Sequence, residues 1–467
     1  MITETKNTKS FYNSEIPDDW EVLDFGEAFS FVKSFAFSRE NLTSEKTQDA
    51  IRNIHYGDIH TTYKNEILDL DIEKTIPYLL DGLIDSSNFK NEDFASLKDG
   101  DLIIADASED YKGVCDCVEL KNVNGNKVLA GLHTFAARAS EDKIALGFRT
   151  YVLNHEKVVS ELKRIATGTS VYSVSKSNIS KVKIALPPLG EQKVIASLLS
   201  KWDEAISKNQ ALIQQKEERK KWLMQNLLNG KKRLNQNLQD SKINRINATE
   251  TDFENSVNSA NPDSDNEKGK FSLAWKVQSL NELIKPIVRE IDKPKEQYIG
   301  IGLRSHGKGT FLKHAEQPEK NSMDKFYIVR HNDLIVNITF AWEQAIAIVK
   351  KDDDGALASH RFPTYTFINE KSHPDFFRFF ILQPRMKYML QLISPGGAGR
   401  NRVMSKSDFL KLEFKLPDYK EQTAIAKVLQ AADKEIQLLK SKTDKLKEQK
   451  KGLMQVLLTG KVRLKLN

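Results

Sequence analysis

Cysteine is nearly absent from this chain: among 467 residues there are two, Cys115 and Cys117, separated by one position. A pair so placed, with no companions, makes neither a disulfide framework nor a four-ligand zinc site, and it fits a reducing, cytoplasmic setting. No apolar run approaches the ~18 residues of a membrane span, and the N-terminus carries no charged-then-apolar leader. Signatures of catalysis are missing too. There is no Asn-Pro-Pro-aromatic run of an amino-methylating enzyme, no Gly-rich cofactor fingerprint after a strand, and no metal-binding His pair among nine scattered histidines.

Two near-misses narrow the chemistry further. Residues 302–309 (GLRSHGKG) almost spell a phosphate-cradling loop, but the position that should hold magnesium through a hydroxyl is Gly309. The segment reads instead as a flexible loop carrying Arg304, His306 and Lys308 toward a phosphate or base. Asp101, Glu119 and Lys121 imitate the carboxylate-plus-lysine set of a metal-dependent nuclease. The second-half counterpart of Glu119 is Lys351, so that set is not repeated.

What the chain does have is charge and repetition. Charged residues make up 29% of it, the formal net charge is +7 and the pI is near 8.9, which permits an acidic partner without requiring one. The length suits two or three domains. Residues 186–234 (LPPLGEQKVIASLLSKWDEAISKNQALIQQKEERKKWLMQNLLNGKKRL) return at 416–464 with no insertion or deletion, at a constant offset of 230. Self-similarity is read first because it dictates architecture. Two copies imply a pseudo-symmetric molecule rather than a solenoid.

Each copy reads as a long helix. Pro187 or Pro417 cannot lie inside it, Glu191 or Glu421 suits the positive first turn, and Gly230 or Gly460 followed by basic residues marks the end. At ~1.5 Å per residue, 191–228 spans about 55 Å if unbroken; Asp203 and the Ala431–Ala432 pair are candidate breaks. A heptad seam runs through Ile436, Leu439, Thr443, Leu446, Lys450, Leu453 and Leu457, and its first-copy equivalents are Ile206, Asn209, Ile213, Lys216, Lys220, Leu223 and Leu227. Polar seam residues fix register and partner choice at a cost in stability, so the two helices are expected to pack on each other.

The rest divides as follows. Residues 1–15 are a polar lead-in. A first globular domain covers 16–185, with Trp20 opening a short strand; 235–270 is an Asn/Asp/Ser/Glu-rich linker; a second domain covers 271–415, opened by Trp275; and 416–467 is the second helical region. Residues 98–105 (KDGDLIIA) resemble 330–337 (RHNDLIVN), a turn followed by a buried strand, and 175–182 has its echo in 405–408. Strands are expected at 345–349 and 364–368, with a helical run over 374–392. Both domains are assigned α+β.

Candidate ligand-contacting residues cluster in four places. The loops before each helix, 166–170 (ATGTS, with Thr167, Thr169 and Ser170) and 396–402 (GGAGRNR), are equivalent by the 230 offset, and Gly-rich turns let a backbone approach a ligand closely. Arg400, Asn401 and Arg402 are residue types that pair with guanine or adenine edges. Arg52, His55, Tyr56, His60 and Tyr63 in the first domain, and Ser359, His360 and Arg361 in the second, interleave basic and aromatic character as nucleic-acid contacts do.

The whole arrangement resembles the specificity subunit of type I restriction-modification enzymes. It is carried by Pro187, Pro188, Leu189, Glu191, Gln192, Ile195, Ala196 and Asp203, by the helix end LLNGKKRL, and by the recurrence of domain plus helix; the second copy departs at Asp418, Tyr419 and Lys420. The resemblance implies a chain without an active site. It implies two target-recognition domains, each reading one half of a split, asymmetric site on double-stranded DNA, held apart by helices packed as an antiparallel coiled coil. It further implies docking of two methyltransferase subunits, which use S-adenosylmethionine to methylate adenine, and recruitment of motor-nuclease subunits that use ATP and magnesium. Read from the residues alone, a self-contained nuclease, an ATP-using DNA enzyme and a coiled-coil adaptor stay open as alternatives.

Overall fold

The computed structural model describes residues 7–63, 65–91, 94–111, 113–234, 275–396 and 402–464, with Ile2–Glu4 and Ala315 by backbone alone. The expected linker at 235–270 lies outside the described residues. The chain divides into two compact units, Met1–Ala211 with Ser441–Asn467, and Leu212–Lys440. Each unit therefore owns a globular part, one portion of the first long helix and the complementary portion of the second.

Both repeat copies form single helices, Leu189–Leu227 and Tyr419–Leu458, of 39 and 40 residues. Neither Asp203 nor Ala431–Ala432 breaks them. An isolated Asp costs a helix only a few tenths of a kcal/mol and Ala is its best former, so neither outweighs the packing of an otherwise periodic face. Gly230 and Gly460 follow at φ +71° and +67°, the left-handed conformation that ends helices. A side chain there would also strike a Trp: a Cβ on Gly230 would sit 3.2 Å from the Trp275 ring, and one on Gly460 would sit 3.2 Å from Trp20 and 2.3 Å from Pro17.

Seam positions are buried or half-buried, while most positions between them are exposed. In the first unit Lys450 reaches Asp203 at 2.5 Å and also pairs with Glu66. In the second unit Lys216 pairs with Glu435 at 2.8 Å, Lys220 with Asp433 at 2.5 Å and Lys440 with Glu217 at 2.6 Å. Asp203–Lys450 with Glu191–Arg463 in the first unit, and Lys220–Asp433 with Arg233–Glu421 in the second, pair rising with falling sequence numbers, so the helix segments run antiparallel. The 230 offset carries Asp203–Lys450 onto Asp433–Lys220.

The same offset governs the ends. Arg463 grips Glu191, 3% exposed, through Nη2–Oε2 at 2.6 Å, and Arg233 grips Glu421, 1% exposed, at 2.6 Å. Gln192 donates to the carbonyls of Lys143 and Pro187 and accepts from the Ala145 amide; Gln422 repeats this with Lys371, Pro417 and the His373 amide. These side chains explain why Glu-Gln recurs: one residue clamps the returning helix end, the other clamps the domain.

Each globular part opens with a strand paired antiparallel to the strand that leads into its helix, Glu21–Asp24 with Lys183–Leu186 and Lys276–Ser279 with Glu413–Leu416. Behind them lie two larger sheets per unit, all mixed except the four-stranded sheet of the second unit, which is antiparallel throughout. In the first unit the larger runs Phe29–Val32, Thr134–Ala139, Leu102–Ala105, Cys117–Lys121, Ile67–Asp69, with only the last pair parallel. In the second a four-stranded sheet runs Ile284–Ile287, Thr364–Phe367, Leu334–Val336, Ile346–Ile348. A five-stranded one runs Glu290–Asp292, Lys325–Ile328, Leu357–Ala358, Tyr298–Leu303, Thr310–Glu316. The unbroken apolar run DLIIA is a strand covered on both faces. Leu102 and Ile104 enter one apolar cluster and Ile103 and Ala105 another, just as Leu334 and Val336 separate from Ile335.

The structure corrects two further expectations. The lead-in is not a loose segment where it is described: Thr8–Phe11 and Ser14–Pro17 form a hairpin, and Phe11 is 2% exposed. Ile2–Glu4 pairs with Val462–Leu464. Apolar anchors at Phe11 and Ile16 outweigh the polar composition around them. The helical run over 374–392 is two helices, Pro374–Phe380 and Pro384–Leu392, because Pro384 can start a helix but not continue one. Among the described residues no helix is long and apolar enough to cross a membrane.

Candidate nucleic-acid interface

The buried strands Leu102–Ala105 and Leu334–Val336 begin at a carboxylate held by an arginine. Asp101 accepts Arg138 Nε and Nη2 at 2.9 and 2.7 Å, and Asp333 accepts Arg289 Nη1 and Nη2 at 2.5 and 3.1 Å. Asp101 is thus an internal ion pair rather than a metal ligand. Glu119 accepts the amides of Gly147 and Thr150, and burial pushes its carboxyl up to about 7. Among the described residues no group of three or more His, Cys, Asp or Glu could hold a metal ion. Burial pushes the Cys115 and Cys117 thiols up to about 12, far from the thiolate state that reactivity needs.

Where these strands end, both units build the same junction. In the first, the Asp106 amide donates to the His133 carbonyl at 3.1 Å, and the Asp106 carbonyl accepts from the Val174 amide at 3.0 Å. In the second, the Ile338 amide donates to the Arg361 carbonyl at 3.0 Å, and its carbonyl accepts from the Met404 amide at 2.8 Å. One residue thereby ties together the segment containing His133 or Arg361 and the loop that leads toward the long helix. That loop ends in a capped turn, Ser175 Oγ accepting from the Asn178 amide and Ser405 Oγ from the Asp408 amide.

Around the second junction the candidates converge. Residues 302–309 are not a phosphate loop: they join two antiparallel strands, with no helix following, because the sequence after Gly309 (TFLKHAE) is strand-forming. His306 and Gly307 amides donate to the carbonyls of Glu343 and Gln344, and Ser305 Oγ donates to Glu343 at 2.5 Å. Strands Tyr298–Leu303 and Leu357–Ala358 are parallel neighbours, so the loops that follow them, carrying Arg304–Lys308 and Ser359–Arg361, leave the sheet at one end. Arg402 lies 5.3 Å from the Trp342 ring centroid. Arg304, His306, Lys308, His360 and Arg361 are exposed, whereas Ser359 and Arg402 are half-buried. Arg400 and Asn401 lie outside the described residues.

The first junction gathers a different set. His60 Nε2 reaches the Ala107 carbonyl at 3.2 Å and Nδ1 faces Asp116 at 3.3 Å, whose carboxylate raises the imidazole above its ordinary value. Tyr56 lies against His60 and His133, at 6.0 and 5.3 Å between ring centroids. Ala107 pairs with Ser173, which exchanges hydrogen bonds with Thr167, so exposed Thr167, Thr169 and Ser170 join the same site. Arg52, His55 and Tyr63 do not. Arg52 is 9% exposed and donates to Tyr78 Oη at 3.2 Å, His55 caps a short helix by accepting the Gly57 amide, and Tyr63 sits in the core. They belong to a strand and helix covered on both sides, which interleaved polarity in the sequence disguised as a surface patch. Composition did not single out His133, whose carbonyl accepts the Asp106 amide and whose ring faces Tyr56, or Trp342, which faces Arg402. The likeness of 98–105 to 330–337 was the signal for them, because it marks where the junctions fall.

The family model described as the type I restriction modification DNA specificity domain matches residues 17–218 and again 274–448. The chain belongs to that family. A curated relative, the Putative type I restriction enzyme MjaX specificity subunit of Methanocaldococcus jannaschii, is 27% identical across 98% of this chain and 97% of its own length. The MjaVIII specificity subunit of the same organism is 24% identical over the same shares. A solved chain from work on complex assembly and conformational transition of the type I R-M system has a TM-score of 0.52 at 12% identity, covering 96% of this chain and all of that one. At that identity it supports the fold of a type I specificity subunit and no more. The family role is DNA sequence specificity rather than catalysis, and neither the nuclease nor the ATP-using reading has support.

Proposed function

We propose that each unit of this specificity subunit reads one half of a bipartite, asymmetric DNA site through the loops tied at its strand-end junction. The supporting observation is that the junction at Asp106 and the junction at Ile338 repeat the same backbone bonds while presenting different side chains. A shared frame with unlike residues is what reading two unlike half-sites requires. Lysine and arginine contacts to phosphate supply much of the affinity, with a steep salt dependence, and a few side chains supply the sequence choice. The long helices dock two methyltransferase subunits, which bring S-adenosylmethionine. Motor-nuclease subunits bring ATP and magnesium.

Methylome sequencing of a host carrying the chain tests this reading. Arg361→Ala or Arg402→Ala relaxes the bases methylated in one half-site and leaves the other intact, since a good bidentate base contact is worth ~1–3 kcal/mol of discrimination. His133→Ala affects the opposite half. A uniform loss over all sequences would assign these residues to phosphate.

A further inference from the structure

The second unit holds a cleft of about 360 Å³ beside its junction, at the lower end of the ~300–1,000 Å³ typical of small-ligand sites. Its floor is the strand Tyr298–Leu303, in which Gly300 and Gly302 carry no side chain. Neither glycine has positive φ, so conformation does not require them. Glycine inside a strand weakens it and marks a close approach by another group. At Gly302 that group is the Phe311 ring, which a Cβ would meet at 2.4 Å. At Gly300 the nearest atoms to a Cβ lie 3.4 to 3.8 Å away, so a Cβ would fit and is nonetheless missing.

Rings of Phe311, Phe326 and Phe340 line the cleft, and the Arg304 guanidinium lies 5.1 Å from the Phe311 centroid. One polar side chain at its wall is 9% exposed: Asn337. Its Oδ1 accepts the Thr339 amide at 3.0 Å, which fixes the amide's orientation and leaves Nδ2 without a partner among the described residues. Nδ2 is thereby left as a donor that a ligand in the cleft can use.

We propose that this cleft binds a nucleobase, turned out of the DNA at the second half-site. A strand floor left open at Gly300, aromatic walls and an amide donor at the edge suit a flat, polar-edged ring, which stacks on π-faces and offers an acceptor at its edge. The neighbours argue for DNA as the source. Arg304, His306 and Lys308 leave the same strand, Ser359 lines the cleft and precedes His360 and Arg361, and Asn337 adjoins Ile338 of the junction. The segment GLRSHGKGTF has no first-half counterpart, so the site belongs to one half-site. This inference rests on the half-site reading above.

The test uses the full chain with its methyltransferase subunits on a duplex carrying its mapped site. A photoreactive base, 5-iodouracil or 6-thioguanine, is placed at each position of the second half-site, and adducts are located by mass spectrometry. A parallel arm titrates free thymidine and deoxyguanosine. The expected result is an adduct on Phe311, Phe326 or Phe340 from one position. Gly300→Val, which suits a strand and fills the cleft, and Asn337→Asp, which keeps the Thr339 cap and removes the donor, each lower its yield about tenfold or more. Gel-shift affinity then falls by no more than the about 5- to 150-fold attributable to one stacked base. Nucleoside binding abolished by Gly300→Val, with no adduct, would keep the nucleobase chemistry and reassign its source. Specific DNA binding with neither adduct nor nucleoside binding would overturn the cleft while the half-site reading stands. Absence of specific DNA binding by the wild-type complex would overturn both.

Discussion

His155 is a residue whose burial has a predictable cost in acid. Its Nδ1 accepts the Lys157 amide at the start of the helix Glu156–Ile165, its ring packs edge-on against Phe11, and its Nε2 is buried without a partner. Burial pushes the imidazole down to about 4, from an ordinary value near 6.5. The folded-state value is depressed, so the stabilisation is complete above about 6.5 and is lost as pH falls toward 4, where the unfolded chain alone takes up the proton. The gap corresponds to about 3 kcal/mol. His155→Asn keeps an N-cap acceptor and removes the titration. The variant melts lower at pH 7.5, having lost the Phe11 contact, but its melting temperature drops less between pH 7 and pH 4; parallel slopes would show that His155 is not the acid-sensitive group. The residue scale is also where the sequence misled most. The exposure of Arg304, His306, Lys308, His360 and Arg361 was readable because loops leave charges in solvent. The burial of Arg52, His55 and Tyr63 was not, because an interleaved polar pattern is identical whether its charges face water or, as with Arg52 on Tyr78, lie in a closed stack.

Between helices, equivalent ion pairs sit in unequal surroundings, and that difference sets their worth. Lys450 is 6% exposed at its side chain, between Asp203 at 13% and Glu66 at 29%, with the Tyr151 hydroxyl donating to Asp203 at 3.1 Å. Its equivalent by the 230 offset, Lys220, is 24% exposed and faces Asp433 at 47%. Removing one partner of a buried pair strands the other charge and costs about 3–5 kcal/mol, while exposed pairs are worth about 0–1 kcal/mol. Urea unfolding should therefore give a loss near 3 kcal/mol for Lys450→Met and under about 1 kcal/mol for Lys220→Met. Equal losses would mean the first site is as wet as the second. The helices themselves were legible, since proline, a first-turn glutamate, a heptad and a terminal glycine agree with one another at every level. The hairpin at 8–17 was not, because its stability comes from Phe11 and Ile16 reaching a core assembled from distant segments. Nor was the division at Pro384, where a periodic apolar pattern runs through a residue that can only begin a new helix.

At the scale of the molecule, each long helix gives part of its length to one unit and the rest to the other. We propose that this shared element sets the number of base pairs between the two half-sites. Seven residues inserted after Ala211 and seven after Lys440 add two turns to each helix. The insertions keep the heptad in phase, so Asp203–Lys450 on one side and Lys216–Glu435 on the other still meet their partners. At ~1.5 Å per residue the added length is about 10 Å, or about three base pairs at ~3.4 Å each. Methylome mapping of a host carrying the doubly extended chain should then find both half-sites unchanged and the gap between them longer by about three. Insertion into one helix alone puts the ion pairs out of register and should abolish methylation rather than shift the gap. An unchanged gap in the double insertion would show that something other than helix length measures the DNA.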